Sequence, residues 1–118
     1  MEHAYAPYSK FKVGAALVTT QGQIFTGCNV ENASYGLTIC AERNAIFAAV
    51  TALPAGGKLS IQAIAVVNSQ NVACSPCGAC RQVIAEFAGK EGVTVFYQAT
   101  DGIKQSSIAN LLPDSFSL

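Results

Sequence analysis

Ile61-Gln62-Ala63-Ile64-Ala65-Val66-Val67-Asn68 is a near-continuous apolar run. Its length and β-branched content suit a strand covered on both faces, as in a sheet packed between helices. Pro54-Ala55-Gly56-Gly57 ends the segment before it, and Asn71 to Pro76 reads as the loop after it. On the N-terminal side, Phe11 to Thr20 is β-rich, with Phe11, Val13, Ala15, Leu17 and Thr19 alternating in position. Gln21-Gly22 is a turn signal, and Gln23 to Cys28 resumes as the second strand of a hairpin. Asn29 to Leu37 is a polar loop. Thr38 reads as an N-cap, followed by a helix from Cys40 to Ala52 with Ala41, Ala45, Ala48 and Ala49 at helical spacing. On the C-terminal side, Cys77 to Phe87 reads as a helix with Val83, Ile84 and Phe87 on its apolar side. Val93 to Gln98 reads as a strand and Ile103 to Ser106 as a short edge strand. Ser107 to Leu112 reads as a helical turn stopped by Pro113. The order β-β-α-β-α-β-β predicts one α/β domain over residues 1–118. It would be a three-layer α-β-α sandwich with a mixed, roughly five-stranded sheet.

Composition narrows the function classes. Hydrophobic residues make up 51% of the chain and charged residues 12%, which leaves apolar surface for an oligomer to bury. Seven basic and seven acidic residues cancel, and no Lys/Arg cluster exists. That argues against nucleic acid as a partner. No apolar run is long enough for a membrane span. Met1-Glu2-His3-Ala4-Tyr5 carries neither a basic nor an apolar leader region. Five cysteines without a secretion signal fit reduced thiols in the cytoplasm, some of them on a metal.

Chemistry concentrates at Cys40-Ala41-Glu42 and Pro76-Cys77-Gly78-Ala79-Cys80. Cys77 and Cys80 lie nearly one helical turn apart, so their sulfurs reach one metal from the same helix face. Cys40 supplies a third thiolate, and it too falls at a helix start. There the positive end of the helix dipole favours anionic sulfur. Three thiolates leave the fourth position of a tetrahedral Zn2+ open for water, and Glu42 is placed to move protons. Three thiolates on Zn2+ also make a net negative centre, which Arg43 or Arg81 could offset; Arg43 is the favoured one. A Cys-x-x-Cys pair alone could equally be a redox dithiol. A closed structural site would need a fourth ligand, for which Cys74, Cys28 and His3 are candidates; Cys28 otherwise reads as a small buried residue.

The stretches Tyr5 to Leu17, Gly27 to Gly36, Cys40-Ala41-Glu42-Arg43, Ser75 to Gln82 and Leu111-Leu112-Pro113 are similar, in order, to the small homotetrameric zinc-dependent cytidine deaminases. The resemblance spans almost the whole chain. It implies hydrolytic deamination of cytidine and 2′-deoxycytidine to the uridines plus ammonia. It also implies one Zn2+ per chain on Cys40, Cys77 and Cys80, with Glu42 as proton shuttle. Asn29 and Glu31 match the pair that holds the ribose hydroxyls, Phe11 the aromatic beside the base, and the Ala41 N–H the donor to the base carbonyl. Tyr35 and Phe116 match residues that reach a neighbouring subunit's site, so the implied partner is a homotetramer whose sites its neighbours complete. Apart from the resemblance, Asn29 and Glu31 read as turn residues and Phe11 and Phe116 as core. Members of that family carry a longer helical segment ahead of the Tyr-x-Pro-Tyr-Ser stretch, where Met1 to Ala4 stand here. Blasticidin-type deaminases share the Cys-Ala-Glu and Pro-Cys-x-x-Cys elements. A zinc-stabilised scaffold closed by Cys74 is the non-catalytic alternative.

Overall fold

The computed structural model describes residues 1–118. Strands β1 (Val13–Thr19) and β2 (Ile24–Cys28) form the expected hairpin, with Leu17 opposite Phe25 and Gly14 opposite Cys28. A short 3-10 turn, Tyr35–Leu37, leads into α1 (Ala41–Ala52). Then follow β3 (Ile61–Asn68), α2 (Gly78–Glu86), β4 (Thr94–Ala99), β5 (Gly102–Ser107) and α3 (Ile108–Leu111). The sheet order is β2-β1-β3-β4-β5; β3 and β4 are parallel and every other pair is antiparallel. The α/β class and the mixed five-stranded sheet agree with expectation.

This topology decides where chemistry gathers. Strand β1 runs antiparallel to both β2 and β3, so those two run the same way. The loops that leave their C-terminal ends therefore emerge at one end of the sheet. One of those loops enters α1 and the other enters α2. Both helix N-termini, and the segment entering β1, meet there.

Helix α1 stays close to the sheet because its contact face is small. Ala41, Ala45 and Ala49, four residues apart, are fully buried. Beneath them lies Gly27 of β2, where a Cβ would stand 2.4 Å from the Ala45 amide nitrogen and 2.6 Å from the Ala41 carbonyl oxygen. Only glycine admits that approach. Ala48, at helical spacing in the sequence, faces solvent instead. The core above this face joins Leu17, Ile64, Val66 and Val95 to Ile46 of α1, Ile84 of α2 and Ile108 of α3.

Strand β3 departs from the sequence expectation in one respect. Its inward residues Ile64, Val66 and Asn68 are buried, and a register shift at Val18/Thr19 brings Ile61 into the same core. Val67 on the other face is 39% exposed. Helices α1, α2 and α3 all contribute to the core on one face, and no helix within residues 1–118 covers the other. The apolar run is continuous because Ala63 and Ala65 are small half-buried residues, not because two helical layers enclose it. Thr38 is also placed differently. It closes the 3-10 turn and its hydroxyl accepts from the Asn32 N–H, while Cys40 is the N-cap residue of α1. No helix is long and apolar enough to cross a membrane.

Candidate active site

Cys40 and Cys77 occupy equivalent places. Each is the N-cap residue of its helix, in extended conformation, with no side-chain capping bond. A thiol is a poor cap, so the sulfur is left free to face the gap between the two helix starts. Cys80 joins them from the first turn of α2, fully buried. The three sulfurs lie within 4.8 Å of one another. Cys40 Sγ and Cys77 Sγ are 3.8 Å apart, too far for a disulfide and close to the roughly 3.8 Å that two ~2.3 Å Zn–S bonds at a tetrahedral angle produce. The donor set therefore fits Zn2+ on geometry. It also fits on charge. A hydrogen bond from Cys80, with further help from Arg43 and Cys77, pulls the Cys40 thiol down to about 5. The same hydrogen bond, with burial, pushes Cys80 up. One sulfur thus ionises at its neighbour's expense, and a divalent cation lets all three do so.

Arg43 faces these sulfurs. Its Nη2 donates to Cys40 Sγ at 3.5 Å, and its buried Nε has no partner. The thiolates hold its guanidinium firmly protonated, through the Cys40 hydrogen bond first. Arg81, the alternative counter-charge, is used otherwise: it donates to Pro76 O, Leu111 O and Ser75 Oγ. Of the two arginines, Arg43 is the one whose guanidinium reaches a sulfur.

Glu42 is 4% exposed. Burial first, and the Cys40 charge as well, raise its carboxyl above the usual range, although its own backbone N–H opposes this. A carboxyl shifted upward in an apolar wall is suited to taking and returning protons near neutrality. Ala41, the first residue of α1, has an N–H with no intrahelical acceptor.

A cavity of about 220 Å³ opens beside these groups, lined by Phe11, Asn29, Cys40, Ala41, Glu42 and Cys77 among others. Sequence reasoning singled out all six. It did not assign Val13, Thr38, Val66 and Ser75 to this wall, and it held Cys74, which also lines it, only as a fourth ligand. Their nearness follows from the sheet topology and leaves no local signature. Cys74 lies outside the group of three sulfurs; its backbone N–H is bonded to Gln98 O. His3 lines a different cavity with Met1 and the half-buried Cys28.

Asn29 and Glu31 shape the approach to this cavity. Asn29, 8% exposed, accepts from the Val13 N–H and donates to Phe11 O, fixing the segment that carries Phe11. Glu31 accepts from the Tyr8 and Ser9 N–H groups and from the Ser9 hydroxyl. The Ser9 hydroxyl is the largest influence holding its carboxyl below the usual range. Glu31 and Tyr35 line an adjoining cavity of about 350 Å³ with Tyr8, Ser9, Asn32 and Thr38. Thr38 belongs to both cavities. Phe116 lines neither and is 70% exposed.

A three-cysteine site at two helix N-termini, with a buried glutamate beside it, places the chain in the class of zinc-dependent deaminases that act on nucleobases. Comparison with known proteins narrows the class. Residues 1–96 match the family described as the cytidine and deoxycytidylate deaminase zinc-binding region. A cytidine deaminase of Sporosarcina psychrophila is 48% identical over 98% of this chain and 82% of its own length. One from Mycobacterium tuberculosis is 44% identical over 98% of this chain and 80% of its own. The crystal structure of a cytidine deaminase from Burkholderia pseudomallei superposes with a TM-score of 0.83 at 52% identity, over 98% of this chain and 89% of that one. The chain belongs to the cytidine and deoxycytidylate deaminase family.

Proposed function

We propose that this chain catalyses the hydrolytic deamination of cytidine and 2′-deoxycytidine, with one Zn2+ per chain on Cys40, Cys77 and Cys80. Residues 1–118 act as one catalytic domain. The observation that carries the reading is the 3.8 Å spacing of two of the three sulfurs, with a buried glutamate beside them.

When bound, Zn2+ supplies Lewis-acid activation of water near neutral pH. Glu42 accepts a proton from the attacking water as its oxygen bonds to C4 of the base, and delivers that proton to N3. Glu42 next carries the proton of the new C4 hydroxyl to the amino group. The C4–N bond then breaks, ammonia leaves and the C4 carbonyl of uridine forms. The Ala41 N–H donates to the base carbonyl, and Phe11 flanks the base.

The ribose falls to Asn29 and Glu31. Each is already engaged with the backbone, yet each retains capacity. The Asn29 amide keeps one N–H, and of the four lone-pair sites on the Glu31 carboxylate, three are engaged. Two hydroxyls can use what remains. The holding groups are thereby orientated before substrate arrives.

A cavity of about 220 Å³ is below the ~300–1,000 Å³ usual for small-molecule sites. Tyr35 and Phe116, 78% and 70% exposed, are free to close a site on a neighbouring copy. That supports a homotetramer, in the cytoplasm where thiolates stay reduced.

The test is turnover of cytidine by purified protein, followed in the ultraviolet, with zinc measured on the same sample. Turnover with one zinc per chain is expected. Zinc without turnover of either nucleoside, together with turnover of blasticidin S, would overturn the substrate assignment.

A further inference from the structure

We propose that Arg81 is a positioning residue that fastens the loop delivering Cys77 and the C-terminal tail to one helix, so that zinc retention and tail order depend on the same guanidinium. The zinc half of this rests on the metal reading above.

Arg81 immediately follows Cys80 on α2. Its Nε donates to Pro76 O at 2.7 Å, the carbonyl next to Cys77. Its Nη2 donates to Ser75 Oγ at 2.9 Å, one residue further back. Its Nη1 donates to Leu111 O at 2.8 Å, at the end of α3. One rigid fork thus spans the ligand loop and the start of the tail. The neighbouring Gln82 Nε2 reaches Phe116 O at 3.2 Å. Residues 113–118 are all exposed, so little apolar burial holds them. The Gln82 bond to Phe116 O reaches them directly, and Arg81 fixes Leu111 at the end of α3, from which they leave.

The sequence Cys80-Arg81-Gln82 therefore puts a sulfur ligand and two tail anchors side by side on one turn. By hydrogen bonds the loop from Asn71 to Pro76 is otherwise held at Asn68, whose side chain bonds Gln70 and Val72, and at the Cys74–Gln98 bridge, and by packing at its end, where the Pro76 ring is fully buried. Nothing but Arg81 binds a side chain to the Pro76 carbonyl. Lysine cannot replace it, because a point charge on a flexible stem cannot serve three acceptors lying in different directions.

The experiment compares zinc-loaded wild type, R81K, R81A and R43A. Two quantities are read: the rate of zinc transfer to a chromogenic chelator, and amide hydrogen exchange of residues 112–118. In R81K and R81A, zinc transfer should be roughly 10- to 100-fold faster, the range for removing a group that orientates a ligand, and tail exchange should accelerate too. R43A should speed zinc transfer and leave tail exchange at the wild-type rate. If R81A does not fold, R81K and S75A decide; S75A should speed zinc transfer alone. A lowered melting temperature in R81K with zinc transfer and tail exchange at wild-type rates would overturn the proposal and leave Arg81 an ordinary structural residue. Neither readout involves cytidine. Wild type isolated and reconstituted without zinc would instead defeat the metal reading, and tail exchange would still decide the other half.

Discussion

Arg43 and Arg81 each follow a cysteine of the zinc-type site, and the structure gives them different work: one faces sulfur, the other faces carbonyl oxygen. Spacing alone could not separate them, because it gives proximity to a helix start but not the direction of a long side chain. Cys74 makes the same point. Three residues before Cys77, it looks like a fourth ligand, but its backbone is drawn toward β4 by the bond to Gln98 and it lines the cavity wall. Cys74→Ser should therefore keep one zinc per chain; loss of metal from that variant would restore the closed site. Glu31 carries a pH dependence whose sign is fixed. Its carboxyl is lowered in the folded chain, so the stability it contributes is present above its unfolded value and is lost as pH falls through the folded one. The stability gap between wild type and Glu31→Gln, read from denaturant unfolding, should be full at neutral pH and narrow in acid. A gap independent of pH would contradict this.

At the scale of elements, most of the fold was legible. The hairpin follows from alternation and the Gln21-Gly22 turn, and the two helices from their alanine and apolar spacing. The start of α1 was less so. Thr38 has the chemistry of an N-cap, but the 3-10 turn takes it, and the helix begins from Cys40. Covering of β3 was misjudged for a physical reason: an uninterrupted apolar run is also produced when the residues on the open face are small. Gly27 shows what the sequence leaves unmarked. Its meaning lies in α1, which the Ala41 carbonyl and Ala45 amide bring against it. Gly27→Ala should destabilise the fold by about 1–3 kcal/mol through overpacking, and, by displacing the start of α1, should weaken zinc binding as well. Unchanged thermal stability would refute the close approach.

At the scale of the molecule, one end of the sheet gathers Phe11, Asn29, Glu42 and the three sulfurs, because β2 and β3 run the same way. The three cysteines and Glu42 stood out in the sequence by themselves, whereas Phe11 and Asn29 stood out only through the family resemblance. The topology supplies the physical cause for Phe11, Asn29, Cys40, Glu42 and Cys77 lining one cavity, while Glu31 and Tyr35 line the adjoining one and Phe116 neither. Exposed Tyr35, Leu37, Phe47, Val50 and Phe116 leave apolar surface that a single chain does not bury. A mass in solution of four chains is expected. Active-site complementation is expected too: tetramers mixed from Phe116→Ala and Glu42→Gln chains should regain part of the activity both parents lack. An active monomer would remove that account. The central claim is that Glu42 moves the protons at a three-thiolate zinc site, and it is tested most directly by comparing cytidine turnover and zinc content in wild type and Glu42→Gln. The account predicts equal zinc, about one per chain, with turnover lowered by at least ~100-fold. Near-normal turnover by the zinc-loaded variant would contradict it.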